Sequence, residues 1–301
     1  MKFTATALIS AALLAVASTV TAAPLEARGN HHHNHHKGNH IVKGKHFDRV
    51  MIIIFENKDY TTAKNDAYYS NLARLHNGVA LTNYNGTTHP SQPNYISLIS
   101  GDTEGTNGDD ESNIDRKNIV DLLEAKGVSW KAYQEGYMGN CDKSMRIGTY
   151  ARKHNPFMSF TNISNDPKRC SKIVNSAQLD IDIENDAVPQ FVFFTPDMNS
   201  DGHDTDMTYA SKWLQLFLEP RITRKELNKN TMFVATFDET DDYSIRNRVL
   251  TVLFGPDFKR SSKKLEDDTE YDHYSLLRTI EDNWKLGDLG RNDTIARPIK
   301  L

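Results

Sequence analysis

Hydrophobic side chains in this chain gather into short unbroken runs, and the runs end abruptly in acids. Val50–Phe55 (VMIIIF) stops at Glu56 and Asn57, Phe191–Thr195 (FVFFT) stops at Pro196 and Asp197, and Met232–Phe237 (MFVATF) stops at Asp238 and Glu239. β-Branched and aromatic runs of this length, with no polar alternation, predict strands buried on both faces. The segments RVLTVLFGPDF and GVSWKAYQE read as further strands. Between them, Ile119–Lys126, Tyr209–Leu218 and Tyr274–Leu286 read as helices. Strands alternating with helices predict an α/β fold, a three-layer α/β/α sandwich around a mostly parallel central sheet.

The first residues break this pattern. Lys2, an apolar run from Ala7 to Val20 and small residues up to Ala23 have the layout of a secretory signal peptide, placed at 1–23. Residues 24–46 include the tract HHHNHHKGNH and few apolar side chains, so they cannot offset ordering entropy by burial and read as a disordered His-rich segment. That leaves 47–301 as a single catalytic domain. The leader is too short to span a bilayer and no later apolar stretch is long enough, so the expectation is a secreted protein, extracellular or in the cell wall, without stable membrane association.

An oxidising compartment makes the only two cysteines, Cys141 and Cys170, a candidate disulfide, with free buried thiols as the alternative. It also opens three sequons to glycosylation, at Asn85, Asn162 and Asn292. The formal net charge is −4 and no basic stripe interleaved with aromatics occurs, which argues against nucleic acid as a partner.

Open α/β sheets bind ligands just beyond the carboxyl ends of their strands. Single acids there read as helix caps or turn formers. Three acid-tipped strands, two of them carrying an adjacent second oxygen ligand, point instead to a hard-cation site, with magnesium, calcium or manganese suited to oxygen donors and zinc admitted if a histidine joins. In THPSQPNYISLISG, Ser91 stands between two prolines ahead of an apolar helix-like stretch. A serine so placed reads equally as a helix cap or as a nucleophile with backbone N–H groups beside it to hold a phosphate.

The segment SQPNY…SLISG resembles the nucleophile region of the alkaline-phosphatase-like superfamily. Together with FEN, PDMNSDGHD, FDET and YDHYSLLRTIEDNW in that order, it resembles the phosphoesterase family of microbial acid phosphatases and phospholipases C, over about Asp48 to Trp284. The resemblance implies an alkaline-phosphatase-like fold and a secreted, metal-dependent acid phosphatase that hydrolyses small-molecule phosphate monoesters through a phosphoserine. It casts Ser91 as nucleophile, Glu56, Asn57, Asp238 and Glu239 as ligands of a divalent metal ion, and Asp197 as a ligand of a second. His203 or His273 would protonate the leaving alcohol, with Asn94 and, more weakly, His89 on the substrate.

Rival readings have sequence markers. A sulfatase requires arginine four residues after its nucleophile, where this chain has Tyr95, and neither a GxSxG elbow nor an RHG motif occurs. A phospholipase C or other phosphodiesterase is the alternative within the family, and a secreted metal-binding protein using the His-rich tract is the alternative outside enzymes. The oligomeric state has no signature in the sequence.

Overall fold

The computed structural model describes residues 41–301. The signal-peptide segment and the His-rich tract through His40 lie outside the described residues. Nine strands form the main sheet: β1 (Arg49–Phe55), β2 (Val79–Asn85), β3 (Trp130–Gln134), β4 (Ile173–Asn175), β5 (Phe191–Thr195), β6 (Thr231–Phe237), β7 (Arg248–Phe254), β8 (Glu266–Asp267) and β9 (Tyr271–Asp272). Their order is β8-β2-β7-β6-β1-β5-β3-β4, with β9 also on β2. All pairings are parallel except those β7 makes with β6 and β2.

The expected two-sided burial is borne out. Every residue of β1 and β6 is buried. Successive strand residues face opposite ways, and on β5 both directions meet aromatics. Phe194 lies 4.5 Å from Phe217 on the long helix Met207–Ile222, while Phe193 lies 5.3 Å from Phe157 on the other side. Helices thus cover both faces. Four of them matter below: α1 (Ser91–Ser100), α2 (Ile119–Lys126), α3 (Met207–Ile222) and α4 (His273–Trp284). The last two begin where Asp206 and Asp272 accept backbone N–H groups of the first turn, which satisfies donors the helix itself cannot.

One boundary differs from expectation. Residues 41–46, assigned from sequence to the disordered segment, are tied to the core. The Val42 amide donates to Gln190 Oε1 at 2.9 Å, its carbonyl accepts from Gln190 Nε2 at 2.8 Å, and Lys45 N donates to the Asn283 carbonyl at 2.8 Å. Hydrogen bonds of its backbone, with Val42 packed on the core, hold this strap, so its mostly polar composition concealed it. Cys141 and Cys170 form a disulfide, with Cα atoms 5.4 Å apart.

The three sequon asparagines are half-buried, and each side-chain amide is engaged. Asn85 Nδ2 donates to the Tyr271 carbonyl, Asn162 Nδ2 to Asp121 and Asn292 Nδ2 to the Gly101 carbonyl. A glycan on any of them competes with a tertiary contact. Among the described residues no helix is long and apolar enough to cross a membrane.

Candidate active site

The parallel register of β1 and β6 pairs Phe55 with Phe237, so the acids that follow them emerge side by side. Glu56 and Asp238 are fully buried, and Asp238 N donates to the Phe55 carbonyl at 3.0 Å. Asp238 Oδ1 accepts from Asn57 N at 3.2 Å and Glu239 N at 2.7 Å. The chain turns at Asn57 with φ +32°, a region asparagine tolerates. Lys58 closes the turn by donating to the carbonyls of Asn57 and Gly202. On the other flank Gly86 passes so near that a Cβ there would lie 2.6 Å from the Asp238 carbonyl oxygen.

Ser91 opens α1 against this cluster. Its Oγ lies 2.8 Å from Glu56 Oε2 and 3.1 Å from Glu239 Oε1, within donating reach of either. Asn94 fixes the preceding turn: Oδ1 accepts from Thr87 N and Thr88 N, and Nδ2 donates to the carbonyls of Thr88 and Pro90. With its amide committed to the loop, Asn94 positions the serine and does not face substrate. The N–H of Gln92, one residue on, donates to Asp109 Oδ1 at 3.0 Å.

Two groups that the sequence reading did not single out complete the floor. His154, buried and stacked on Tyr95 at 5.0 Å, places Nε2 2.8 Å from Glu56 Oε1 and Nδ1 3.2 Å from Asp201 Oδ2. Asp201 belongs to PDMNSDGHD, and its carbonyl accepts from Glu56 N. From the same motif Asp197 turns away: it accepts from Thr149 Oγ1 and from the amides of Asn199 and Ser200, a turn-forming role. The second-metal expectation therefore shifts off Asp197, whose oxygens are spent on its own loop. Lys153 also went unnoticed, because Arg-Lys-His at 152–154 carries no strand-end or motif signal.

His273 is also placed differently from expectation. It is fully buried, Tyr84 O–H faces Nδ1 at 3.1 Å, and Nε2 lies 2.7 Å from the Asp238 carbonyl, so Nε2–H donates there. Burial pushes it down to about 4, against the Asp238 hydrogen bond, which raises it. A neutral ring with both nitrogens committed holds Asp238 and has no proton for a leaving group. His203 does reach the exposed rim, with Nδ1 2.8 Å from Asp204 Oδ1 and Nε2 3.4 Å from Lys153 Nζ. His89 stacks on Tyr243 at 3.9 Å and its Nδ1 contacts Glu239 Oε2.

Charge sets the character of this pocket. Burial alone pushes Glu56 up, but protonated His154 beside it holds it well below the carboxylate range. Burial and then Glu56 and Glu239 push Asp238 far up, and burial with Glu56 pushes Glu239 up to about 8. Burial lowers His154, yet Glu56 and Asp201 raise it to about 9. Four buried acids against one imidazolium, with the Lys153 ammonium at the mouth, cannot all be ionised without a further positive charge. Among the described residues no three His, Cys, Asp or Glu side chains form a ready-made metal cage. The donor chemistry nonetheless fits a cation, because Asn57 Oδ1 and Asp238 Oδ2 are buried oxygens without hydrogen-bond partners.

Residues 57–287 match the Phosphoesterase family. A phosphate-repressible acid phosphatase of Penicillium chrysogenum is 39% identical over 86% of this chain and 64% of its own length. A phosphatidylinositol-3-phosphatase of Mycobacterium tuberculosis is 28% identical over 81% of this chain and 79% of its own. The chain spans 60% to 64% of the length of the curated fungal relatives it matches. Among solved structures, a protein in the alkaline phosphatase superfamily from Vibrio parahaemolyticus superposes with a TM-score of 0.55 at 14% identity, covering 85% of this chain and 71% of that one. That likeness establishes an alkaline-phosphatase-like fold.

Proposed function

The chain belongs to the phosphoesterase family, and from that premise we propose that it hydrolyses small phosphate monoesters through Ser91. The observation that carries this reading is the serine hydroxyl at the first residue of α1, within 3.1 Å of carboxylates from two neighbouring strand ends. Glu239, whose proton affinity is the higher of the two carboxylates in reach, can take the hydroxyl proton as Oγ attacks phosphorus. The Oγ–P bond forms while the ester P–O bond breaks, and the departing alcohol receives a proton from the rim, where His203 stands. The N-terminal end of α1, at Ser91, carries the positive end of the helix dipole and so favours developing negative charge there. Water then attacks the phosphoserine from the vacated side and gives a proton to His203, the Oγ–P bond breaks, and Ser91 Oγ takes back its proton from Glu239 as inorganic phosphate leaves.

Glu56, Asn57, Asp238 and Glu239 would hold a divalent cation, of magnesium, calcium, manganese or zinc type. When bound it supplies charge neutralisation at the phosphoryl oxygens and the serine alkoxide. His154 and Asp201 keep Glu56 ionised and oriented, and His273 fixes Asp238. An acid working range is supported by similarity to fungal acid phosphatases, and secretion by the signal-peptide layout of residues 1–23.

The test is phosphate release from a phosphomonoester by wild type and Ser91→Ala, each with and without chelator. A loss of at least about two to four orders of magnitude in Ser91→Ala is expected, the usual weight of such a group. Near wild-type release by that variant sinks the reading.

A further inference from the structure

A monoester dianion approaching Ser91 meets buried carboxylates, and among the described residues the Lys153 ammonium stands where it can receive it. Lys153 sits between two anchored residues. Arg152 is buried and donates to the carbonyls of Ser112 and Met158, and His154 is clamped between Glu56 and Asp201. The Lys153 side chain is consequently directed at the mouth, 15% exposed. Its Nζ donates to Asp109 Oδ2 at 3.0 Å, while the other oxygen of the same carboxylate accepts the N–H of Gln92, the residue after the nucleophile.

Asp109 thus bridges Lys153 and the start of α1, two donors that a phosphoryl group on Ser91 would also engage. Glu56 and Asp238 both act on the ammonium, and with Asp109 they raise its proton affinity against the effect of burial. The neighbouring ammonium, Lys58, is already spent on the carbonyls of Asn57 and Gly202.

Building on the monoesterase reading above, we propose that Lys153 selects monoesters over diesters by pairing with the phosphoryl oxygen that a diester would carry as a second ester. In a bound monoester that oxygen is charged and accepts from Nζ, which leaves Asp109 to reach it. In a diester the same oxygen is alkylated, carries no charge and brings an alcohol group against the Lys153 stem. A lysine suits this task as a compact point charge on a flexible stem.

The experiment compares kcat/KM for nitrophenyl phosphate and bis(nitrophenyl) phosphate in wild type, Lys153→Met, Lys153→Arg and Ser91→Ala. It is joined by calorimetric binding of inorganic phosphate to wild type and the two Lys153 variants. Lys153→Met is expected to lose roughly 10- to 100-fold on the monoester and under about threefold on the diester, the weight of one charge-assisted hydrogen bond. Phosphate binding should weaken by a similar factor, and Lys153→Arg should recover part of both. Equal losses on the two esters, or unchanged phosphate affinity, overturn the assignment while inactive Ser91→Ala leaves the hydrolase reading standing. An active Ser91→Ala removes that reading and this one with it.

Discussion

Histidine 273 and histidine 203 both follow acid-rich motifs, and only burial tells them apart. His273 has its two nitrogens committed to Tyr84 and to the Asp238 carbonyl, whereas His203 lies exposed beside Asp204 and Lys153. A leaving-group acid matters most when the departing alcohol is poor. His203→Ala should therefore slow alkyl phosphates more than nitrophenyl phosphate, while His273→Ala should slow both by the same factor and lower the melting temperature. Steady-state kinetics on the two substrates checks this, and an alkyl-selective loss in His273→Ala would reverse the roles. The sequence named both histidines but not His154, since nothing in Arg-Lys-His announces that a ring will stack on Tyr95 and touch Glu56.

At the level of elements, the strands that tip the site were legible because their apolar runs have no polar alternation, and burial on both faces demands that composition. β2 was not recognised: VALTNYN mixes polar residues into a strand that pairs antiparallel with β7 and parallel with the short β8 and β9. The helix starts predicted at Tyr209 and Tyr274 lie one or two residues earlier, at Met207 and His273, because the caps Asp206 and Asp272 set them by local hydrogen bonds that apolar spacing does not record.

One helix carries a testable charge. Glu281 of α4 is fully buried with neither carboxyl oxygen hydrogen-bonded, and burial with the nearby Asp293 carboxylate pushes it up to about 9, although Arg278 opposes this. A carboxyl raised in this way binds its proton more tightly folded than unfolded. Its contribution is therefore complete below its ordinary 4.5 and is lost as pH climbs toward 9. Glu281→Gln should leave the melting temperature in acid unchanged and raise it relative to wild type increasingly between those limits. A parallel pH profile for the two proteins would contradict the assignment.

For the molecule as a whole, the proposed cation role of the acid cluster predicts a link between metal content and stability. Without a cation, Asp238 and Glu239 are raised by burial and by the Glu56 carboxylate, Glu239 to about 8. The folded state then holds protons the unfolded chain releases, and stability falls as pH rises through that range. Chelated protein should melt progressively lower from about pH 5 to 8, and an added divalent cation should flatten that slope by taking over the protons' neutralising role. Calorimetry with and without cation checks it, and identical profiles would leave the cluster without a cation function.

The most direct test of the chemistry is to quench turnover of a phosphomonoester in acid and map covalent phosphate by peptide mass spectrometry. Phosphate on the Ser91 peptide of the wild type, absent in an inactive Ser91→Ala, is the expected result. Full turnover in Ser91→Ala, or covalent phosphate on another residue in active protein, would contradict hydrolysis through this serine.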